Sequence, residues 1–554
     1  MLGIERRIGL VFALFLFCLL GGAVRAVWLG VVRADALTKA AATQQQASID
    51  VPARRGSIVD RTGLELAVSE PASSVAATPY LIRDPLKTAR TLSPVLNVPE
   101  AELLEKLSVT DSGFVWLARK LSSDRSRRLR KLELEGLEII PETRRIYPRE
   151  HMASQLLGMV GTDDTGLAGL EHRHDEALTG EPGKLLLVKD AMGDAIKLRD
   201  ERKAIPGQQL RLTIDAKIQE KTEQVLHAVG KQWQPRKGAT AIVMDPRTSE
   251  ILALANWPRV NANDVGSAPD WAKQNRAVGA SYEPGSTFKA FTVAGALEDG
   301  KVTPDTVFHL GAKIQVADRE IGEAKDHVYG TQTTAGIMQV SSNVGTVMIG
   351  QRLGEERYDH WIRRFGFGRP TGVDLPGEEA GILLPLEKYS GSSMGNMPIG
   401  QGLAVTPMQM AAAYAAIANG GVLRAPRVVK AVGGRPTPLP RGKRILRKQT
   451  ADDLRDMLEK VINPEGTAAA AMIEGYDLAG KTGTAEKPDQ VTGGYSETNF
   501  VASFVGFAPA SNPRLLVQVM VDEPEGDIYG GSVAAPAWRE ITSFALNYLK
   551  IPPK

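Results

Sequence analysis

An apolar run near the start, Ile8 to Val24, holds seventeen residues without a charge, and a second patch, Ala26 to Val32, comes directly after Arg25. At about 1.5 Å of helical rise per residue the first run nearly spans a bilayer core of roughly 30 Å, and Arg25 can snorkel if the helix continues through Trp28. The reading is one transmembrane helix over residues 8–32. Arg6 and Arg7 flank its short end. They favour a cytoplasmic stub at residues 1–7 and export of the chain beyond residue 33 or so. A cleaved signal peptide is the competing reading, since Ala23-Val24-Arg25-Ala26 loosely resembles a small-residue cleavage site. The run is long for such a peptide and an arginine inside the cleavage site is unusual, so the anchor is favoured.

The 554 residues exceed one ordinary domain, and two to four folded units are expected. Hydrophobic residues at 43% and charged residues at 24% can fill large cores, which excludes a disordered chain and a multi-span membrane protein. Net charge is +3, from 67 basic and 64 acidic residues, which gives no reason to expect nucleic acid as a partner. The basic stretch from Arg119 to Lys131 reads as a solvated helix face. Cys18 is the single cysteine, so no intrachain disulfide and no cysteine-based metal site can form.

A polar, small stretch around Thr38 to Ser48 is read as a stalk over residues 33–50. Residues 51–232 come next as a mixed α+β region, with short strands and turns expected at Pro52 to Gly63. Composition changes at Gly238. Strand-like runs at 239–244 and 250–255 flank the turn Asp245-Pro-Arg-Thr-Ser249, and 500–508 and 514–521 flank Pro509 to Pro513. A helix bearing Trp538, Ile541, Ala545 and Leu549 comes last. Residues 233–550 therefore predict an antiparallel sheet flanked by helices and closed by the two ends of the domain, with Gly433 to Gly442 as a surface loop.

Within that domain lies Glu283-Pro-Gly-Ser-Thr-Phe-Lys289. Pro284 and Gly285 place Ser286 at or near a helix N-terminus, where unpaired N–H groups and the dipole favour developing negative charge. Lys289 shares its face with the apolar Val293 and Leu297. Burial there disfavours the ammonium, and a neutral amine could take the proton of Ser286. Alone, such a pair reads as a capping serine with a snorkelling lysine. Two further motifs change this: Ser341-Ser-Asn343 and Lys481-Thr-Gly-Thr484, each occurring once and in that order. Ser341 can relay a proton between Lys289 and a leaving amine, and Asn343 can bond both Lys289 and a substrate amide. Lys481 adds a second cation, expected to depress the Lys289 ammonium further and to attract an anionic peptide terminus. Thr482 and Thr484 can bind that carboxylate, and Gly483 would let the strand approach the substrate.

This ordered set resembles penicillin-binding proteins and serine β-lactamases, and the resemblance extends along nearly the whole chain to the class B penicillin-binding proteins. It is carried also by Arg55 to Gly63, Arg145-Ile-Tyr-Pro148, Gly169-Leu-Glu171, Gly400 to Pro407, Asn419-Gly-Gly421 and Tyr529-Gly-Gly531. It implies an α+β fold: a transpeptidase domain of the penicillin-binding/serine β-lactamase type (233–550), preceded by an elongated dimerisation or pedestal domain (51–232) and a membrane anchor. The activity implied is cross-linking of peptidoglycan stem peptides through an acyl-serine, with no cofactor and no metal. The resemblance also implies an oxyanion hole from the backbone N–H groups of Ser286 and Thr484, covalent capture of β-lactams, and docking of the pedestal to a lipid-linked glycan polymerase of the FtsW-like kind and to division proteins. The catalytic domain would lie on the periplasmic or extracellular side. Asn343 within Ser-Ser-Asn-Val-Gly looks more like the septal, FtsI-like branch than the elongation branch. An elongation-type transpeptidase, a D,D-carboxypeptidase or β-lactamase, and a non-catalytic sensor remain as rivals; the anchor and the long pedestal weigh against a free hydrolase. His151, His172, His174, His227, His309, His327 and His360 show no ligand spacing, with His172 and His174 on opposite faces of a presumed strand. Glu283 and Glu486 are read as solvated acids.

Overall fold

A computed structural model of the chain describes residues 2–35, 46–109, 112–189, 195–324, 327–489 and 494–554. It divides into two compact units, Met1–Arg54 with Pro71–Thr143 and Gly180–Gly207, and Arg55–Glu70 with Arg144–Thr179 and Gln208–Lys554.

The first unit begins with a helix, Leu2–Val27, continued by a wider turn at Trp28–Val32. Its apolar side chains face outward along the whole span, and it is the one helix among the described residues long and apolar enough to cross a membrane. A helix of this length and composition is consistent with a single-pass membrane anchor. Of the expected stalk, residues 36–45 lie outside the described residues, whereas Gln46–Val51 is a strand paired antiparallel with Gly183–Lys189, which pairs with Ala195–Arg202. The correction has a visible cause: Ala47, Ile49 and Val51 alternate with polar residues at the period of a strand. Elsewhere in this unit Ala72–Ala77 pairs with the strand Val115–Ser122, under the helices Pro85–Leu96, Glu100–Leu107 and Ser123–Arg130. Arg125, Arg127, Arg128 and Arg130 lie on the last of these and are exposed, the solvated face expected, whereas Arg119 and Lys120 of the same basic stretch lie on the strand Val115–Ser122 and are half-buried.

The second unit holds the sheet. Its elements are α1 (Ala216–Trp233), β1 (Gly238–Asp245), β2 (Glu250–Trp257), α2 (Lys289–Glu298), β3 (Lys313–Val316), β4 (Arg319–Gly322), α3 (Thr334–Val340), α4 (Asn343–Leu353), α5 (Pro407–Ala418), β5 (Ala479–Pro488), β6 (Tyr495–Ala508), β7 (Leu515–Asp522) and α6 (Ala535–Tyr548). Strand order is β2-β1-β7-β6-β5, antiparallel throughout, so the sequence-distant β1 and β7 meet and β5 forms an edge. Both faces are covered. Ile242 and Met244 of β1 join the core that includes Met410 and Tyr414 of α5, while Ala241 and Val243 join the core of α1 and α6 around Trp538. That alternation is the two-residue period of a strand buried on both sides. Every residue of α5 is buried, as befits a helix apolar around its whole circumference.

The boundary expected at 232/233 falls in the last turn of α1. Contacts assign that helix, with residues 55–70 and 144–179, to the sheet-bearing unit. Ile218, Val225, Leu226 and Val229 give α1 an apolar stripe that belongs to the sheet's core. Buried ion pairs from Glu171 to Arg55 and Arg145 tie the other two segments together. His172 lies on a short helix, Gly169–Arg173, rather than a strand.

Candidate active site

The nucleophile turn is set by backbone proximity. Gly285 has φ 53° and donates its N–H to Gly400 O (3.0 Å); a Cβ on it would stand 2.8 Å from Thr484 O, so only glycine permits this approach to β5. A 3-10 turn, Gly285–Phe288, then carries Ser286, half-buried, directly into α2. Thr287 is pinned at both ends: its hydroxyl donates to Pro284 O (2.7 Å) and its carbonyl accepts from the buried Tyr414 hydroxyl (2.7 Å). The serine thus sits one 3-10 turn ahead of the α-helix, close to the expected place.

Lys289 opens α2 and is fully buried. Its Nζ donates to Ser341 O (2.6 Å) and Asn343 Oδ1 (2.7 Å) and lies 3.4 Å from Ser341 Oγ. Lys481, also fully buried, donates from Nζ to the same Ser341 Oγ at 2.8 Å. Ser341 is therefore the hub between two lysines from different elements. It reaches that place because its backbone is left-handed (φ 61°) between the end of α3 and the start of α4, a conformation that costs of order 1 kcal/mol or more for a residue with a Cβ.

Among the described residues neither lysine has a carboxylate partner within ion-pair distance, so the ammonium forms carry most of the burial cost. Burial brings Lys289 down to about 7, against the opposing pull of the Glu323 carboxylate. Lys481 lies well below its ordinary value, from burial first and the Lys289 charge second. The like charges of the two lysines press on one another across Ser341, so burial and mutual repulsion together disfavour a doubly protonated pair.

Lys481 to Thr484 lie within β5, which starts at Ala479. Alternation turns Lys481 toward Ser341, while Thr482 and Thr484 look toward the segments at 467 and 530: Thr482 Oγ1 is 3.0 Å from the exposed Thr467 Oγ1, and Thr484 Oγ1 accepts from Gly530 N at 3.1 Å. A Cβ at Gly483 would meet Ser503 Oγ at 2.4 Å and Pro284 O at 2.9 Å. The missing side chain at Gly483 admits the Ser286 turn and β6 to β5.

Two groups escaped sequence reasoning. Glu323, buried and just past β4, accepts from the Ser342 hydroxyl, from Asn343 N (2.7 Å) and from Val344 N (3.2 Å). Nothing local marks it, because its partners lie about twenty residues on. Glu283, read as solvated, is half-buried: Oε1 accepts from Gly402 N (3.2 Å) and the Tyr495 hydroxyl (3.4 Å), and the enclosed Oε2 has no partner among the described residues. Burial, with a smaller push from Glu486, raises its carboxyl to about 7. Glu486 itself is exposed.

A serine one turn ahead of a buried amine, a second hydroxyl shared by that amine and another, and an edge strand are the parts that acyl transfer uses. Comparison with known proteins agrees. Residues 239–543 match the penicillin binding protein transpeptidase domain, and residues 50–212 match the penicillin-binding protein dimerisation domain. Stage V sporulation protein D of Bacillus subtilis is 35% identical over 545 residues, covering 94% of this chain and 82% of that protein. The peptidoglycan D,D-transpeptidase FtsI of Escherichia coli is 32% identical over 539 residues, covering 96% and 89%. Penicillin binding protein 3 of Mycobacterium tuberculosis, solved free and with aztreonam or ampicillin, superposes with a TM-score of 0.72 at 31% identity, over 91% of this chain and 98% (97% for the ampicillin complex) of that one. With a dimerisation domain followed by a transpeptidase domain, and relatives of this kind along most of its length, the chain belongs to the class B penicillin-binding proteins, the peptidoglycan D,D-transpeptidases.

Proposed function

We propose that Ser286 is the acylated nucleophile of this chain and that Lys289 is its base, in the cross-linking of peptidoglycan stem peptides at the division septum. The observation that carries this is the convergence of Lys289 and Lys481 on Ser341 Oγ beside the Ser286 turn. A neutral Lys289 has two N–H donors, which Ser341 O and Asn343 Oδ1 satisfy, and a lone pair left for a hydroxyl proton. With its value near 7, that neutral form is well populated at ordinary pH.

Ser286 Oγ attacks the carbonyl carbon of the D-Ala-D-Ala amide while its proton passes to Lys289. The oxyanion is held by the backbone N–H groups of Ser286 and Thr484. On collapse the C–N bond breaks, Ser341 hands a proton to the departing amine of D-alanine, and Lys289 replenishes Ser341. The amino group of a second stem then attacks the ester, gives up a proton to the same relay, and Ser286 leaves with its hydroxyl restored. The donor adds along the free edge of β5 by main-chain hydrogen bonding. Its terminal carboxylate meets Thr482, Thr484 and Lys481, whose ammonium the incoming negative charge favours. β-Lactams would enter by the same acylation and stop at the ester.

The apolar N-terminal helix anchors the chain in the cytoplasmic membrane, with Arg6 and Arg7 inside and the catalytic unit outside. Asn343 in the second motif and the likeness to FtsI support the septal role, with a lipid-linked glycan polymerase of the FtsW-like kind as partner. Labelling by a fluorescent penicillin tests the chemistry: Ser286→Ala should abolish it, and undiminished labelling would overturn the assignment. Depletion in the cell tests the role, with filaments expected and round cells counting against it.

A further inference from the structure

The buried carboxylate of Glu323 takes no part in the acyl-transfer steps, yet among the described residues the hydrogen bonds it accepts come from the second motif and the residue after it. It receives the hydroxyl of Ser342 and the backbone N–H groups of Asn343 and Val344. It thereby satisfies unpaired donors in the first turn of α4, where a negative charge is favoured by the helix dipole. Its neighbour Gly322 completes the grip: Gly322 O accepts from Asn343 Nδ2 at 3.0 Å. With the amide nitrogen held there, the oxygen Oδ1 is the end presented to Lys289, at 2.7 Å. The same grip holds Ser341 in its left-handed conformation at the start of the turn, with its carbonyl and hydroxyl on the two lysines.

We infer that Glu323 is a positioning residue for acyl transfer: it clamps the second motif so that Ser341 and Asn343 meet Lys289 correctly, and its negative charge acts on Lys289 across that clamp. This rests on the reading of Lys289 as the base for Ser286. Among charges acting on Lys289, Glu323 is the one that favours the ammonium, while Lys481 reaches Lys289 through their shared Ser341. Tyr329, whose hydroxyl donates to Val340 O at 3.4 Å, feels the same carboxylate, since burial and then Glu323 push its phenol upward. Glu323 therefore offsets part of the desolvation of Lys289 and keeps its value from falling below about 7.

The test is the rate of acylation by a fluorescent penicillin across pH, on the full-length chain in detergent. Glu323→Gln keeps the shape and removes the charge. Its plateau should fall about 10- to 100-fold as the motif loosens. The rising limb, which reports loss of the Lys289 proton, should move toward acid by about one pH unit. Glu323→Asp keeps the charge on a shorter arm and should hold the limb at the wild-type pH with a lowered plateau. A Gln variant with plateau and limb both unchanged overturns the inference. So does a lowered plateau with an unmoved limb, which would make the carboxylate a structural cap alone. If Glu323→Gln fails to fold, the Asp variant decides by itself, and a displaced limb in it overturns the inference. Failure of the underlying reading is distinguishable, because the chain would then label without Ser286.

Discussion

The sheet-bearing unit buries charge in two places, in opposite ways. Around Glu171, Arg55 Nε and Arg145 Nε each approach a carboxylate oxygen at 2.7 Å, and Asp175 takes a second Arg55 nitrogen at 2.6 Å. The cations there are guanidinium groups, which cannot lose a proton, and each has an acid. Around Ser341 two fully buried amines converge with no acid among the described residues in ion-pair contact. The first arrangement resolves burial by pairing guanidinium groups with carboxylates. The second resolves it by giving up protons, and an amine that has given up its proton is a base. The difference separates a cluster that joins chain segments from one to which the proposed chemistry is assigned.

Exchanging the properties of the two clusters breaks the comparison most sharply. Lys289→Arg places a permanent cation where a titrating one is needed, and β-lactam acylation should fall by about 10⁴-fold, near the upper range for loss of a general base. The chain should remain folded by circular dichroism; retention of more than a tenth of the rate would remove Lys289 as the base. Glu171→Ala does the converse, stranding Arg55 and Arg145 without their shared acid. Breaking a buried pair from one side costs about 3–5 kcal/mol. The denaturant midpoint should drop accordingly, while the folded fraction keeps the wild-type pH dependence of acylation. A shifted acylation limb in Glu171→Ala would show the two clusters to be electrically coupled and dissolve the distinction.

The two clusters were unequally legible in the sequence. Ser286, Lys289, Ser341, Asn343 and Lys481 announce themselves by spacing and order, because a helix turn fixes the first pair and a strand fixes the last residue. The hairpins β1–β2 and β6–β7 showed in their turns, and the meeting of β1 with β7 followed from closing the sheet with the domain's ends. Glu323 was invisible, since a carboxylate past a short hairpin looks solvated until tertiary structure brings α4 over it. The same holds for Glu283, enclosed by Gly402 and Tyr495 from far along the chain. The boundary expected at 232/233 cuts the end of α1, whose apolar stripe belongs to the sheet's core.

A third measurement sharpens the comparison through stability. Lys289 titrates near 7 when folded and near 10.5 when free, so the folded state bears the full cost of the buried ammonium below pH 7. Between those values the unfolded chain binds the extra proton, stability climbs with pH, and the penalty is gone by about 10.5. Lys289→Met should therefore gain most in Tm below pH 7 relative to wild type, and the gain should shrink as pH rises. Removing either partner of the Arg55–Glu171 pair should show the opposite sign, a loss at every pH in that range.

Glu283 supplies the smallest and most discriminating case, a half-buried acid with neither a basic partner among the described residues nor a motif. Its carboxyl sits near 7 when folded against 4.5 when free. Below 4.5 both states are protonated and nothing is lost; above 7 both are ionised and the folded state alone bears the enclosed charge. Glu283→Gln should leave Tm unchanged at pH 4 and raise it at pH 8. Because the side chain keeps partial contact with water, the gain is discounted to about 1 kcal/mol. A variant equally stabilised at both pH values would place the benefit in packing. A variant destabilised at pH 8 would mean that the carboxylate has a cationic partner at work in solution, and Glu283 would then join the paired cluster in kind.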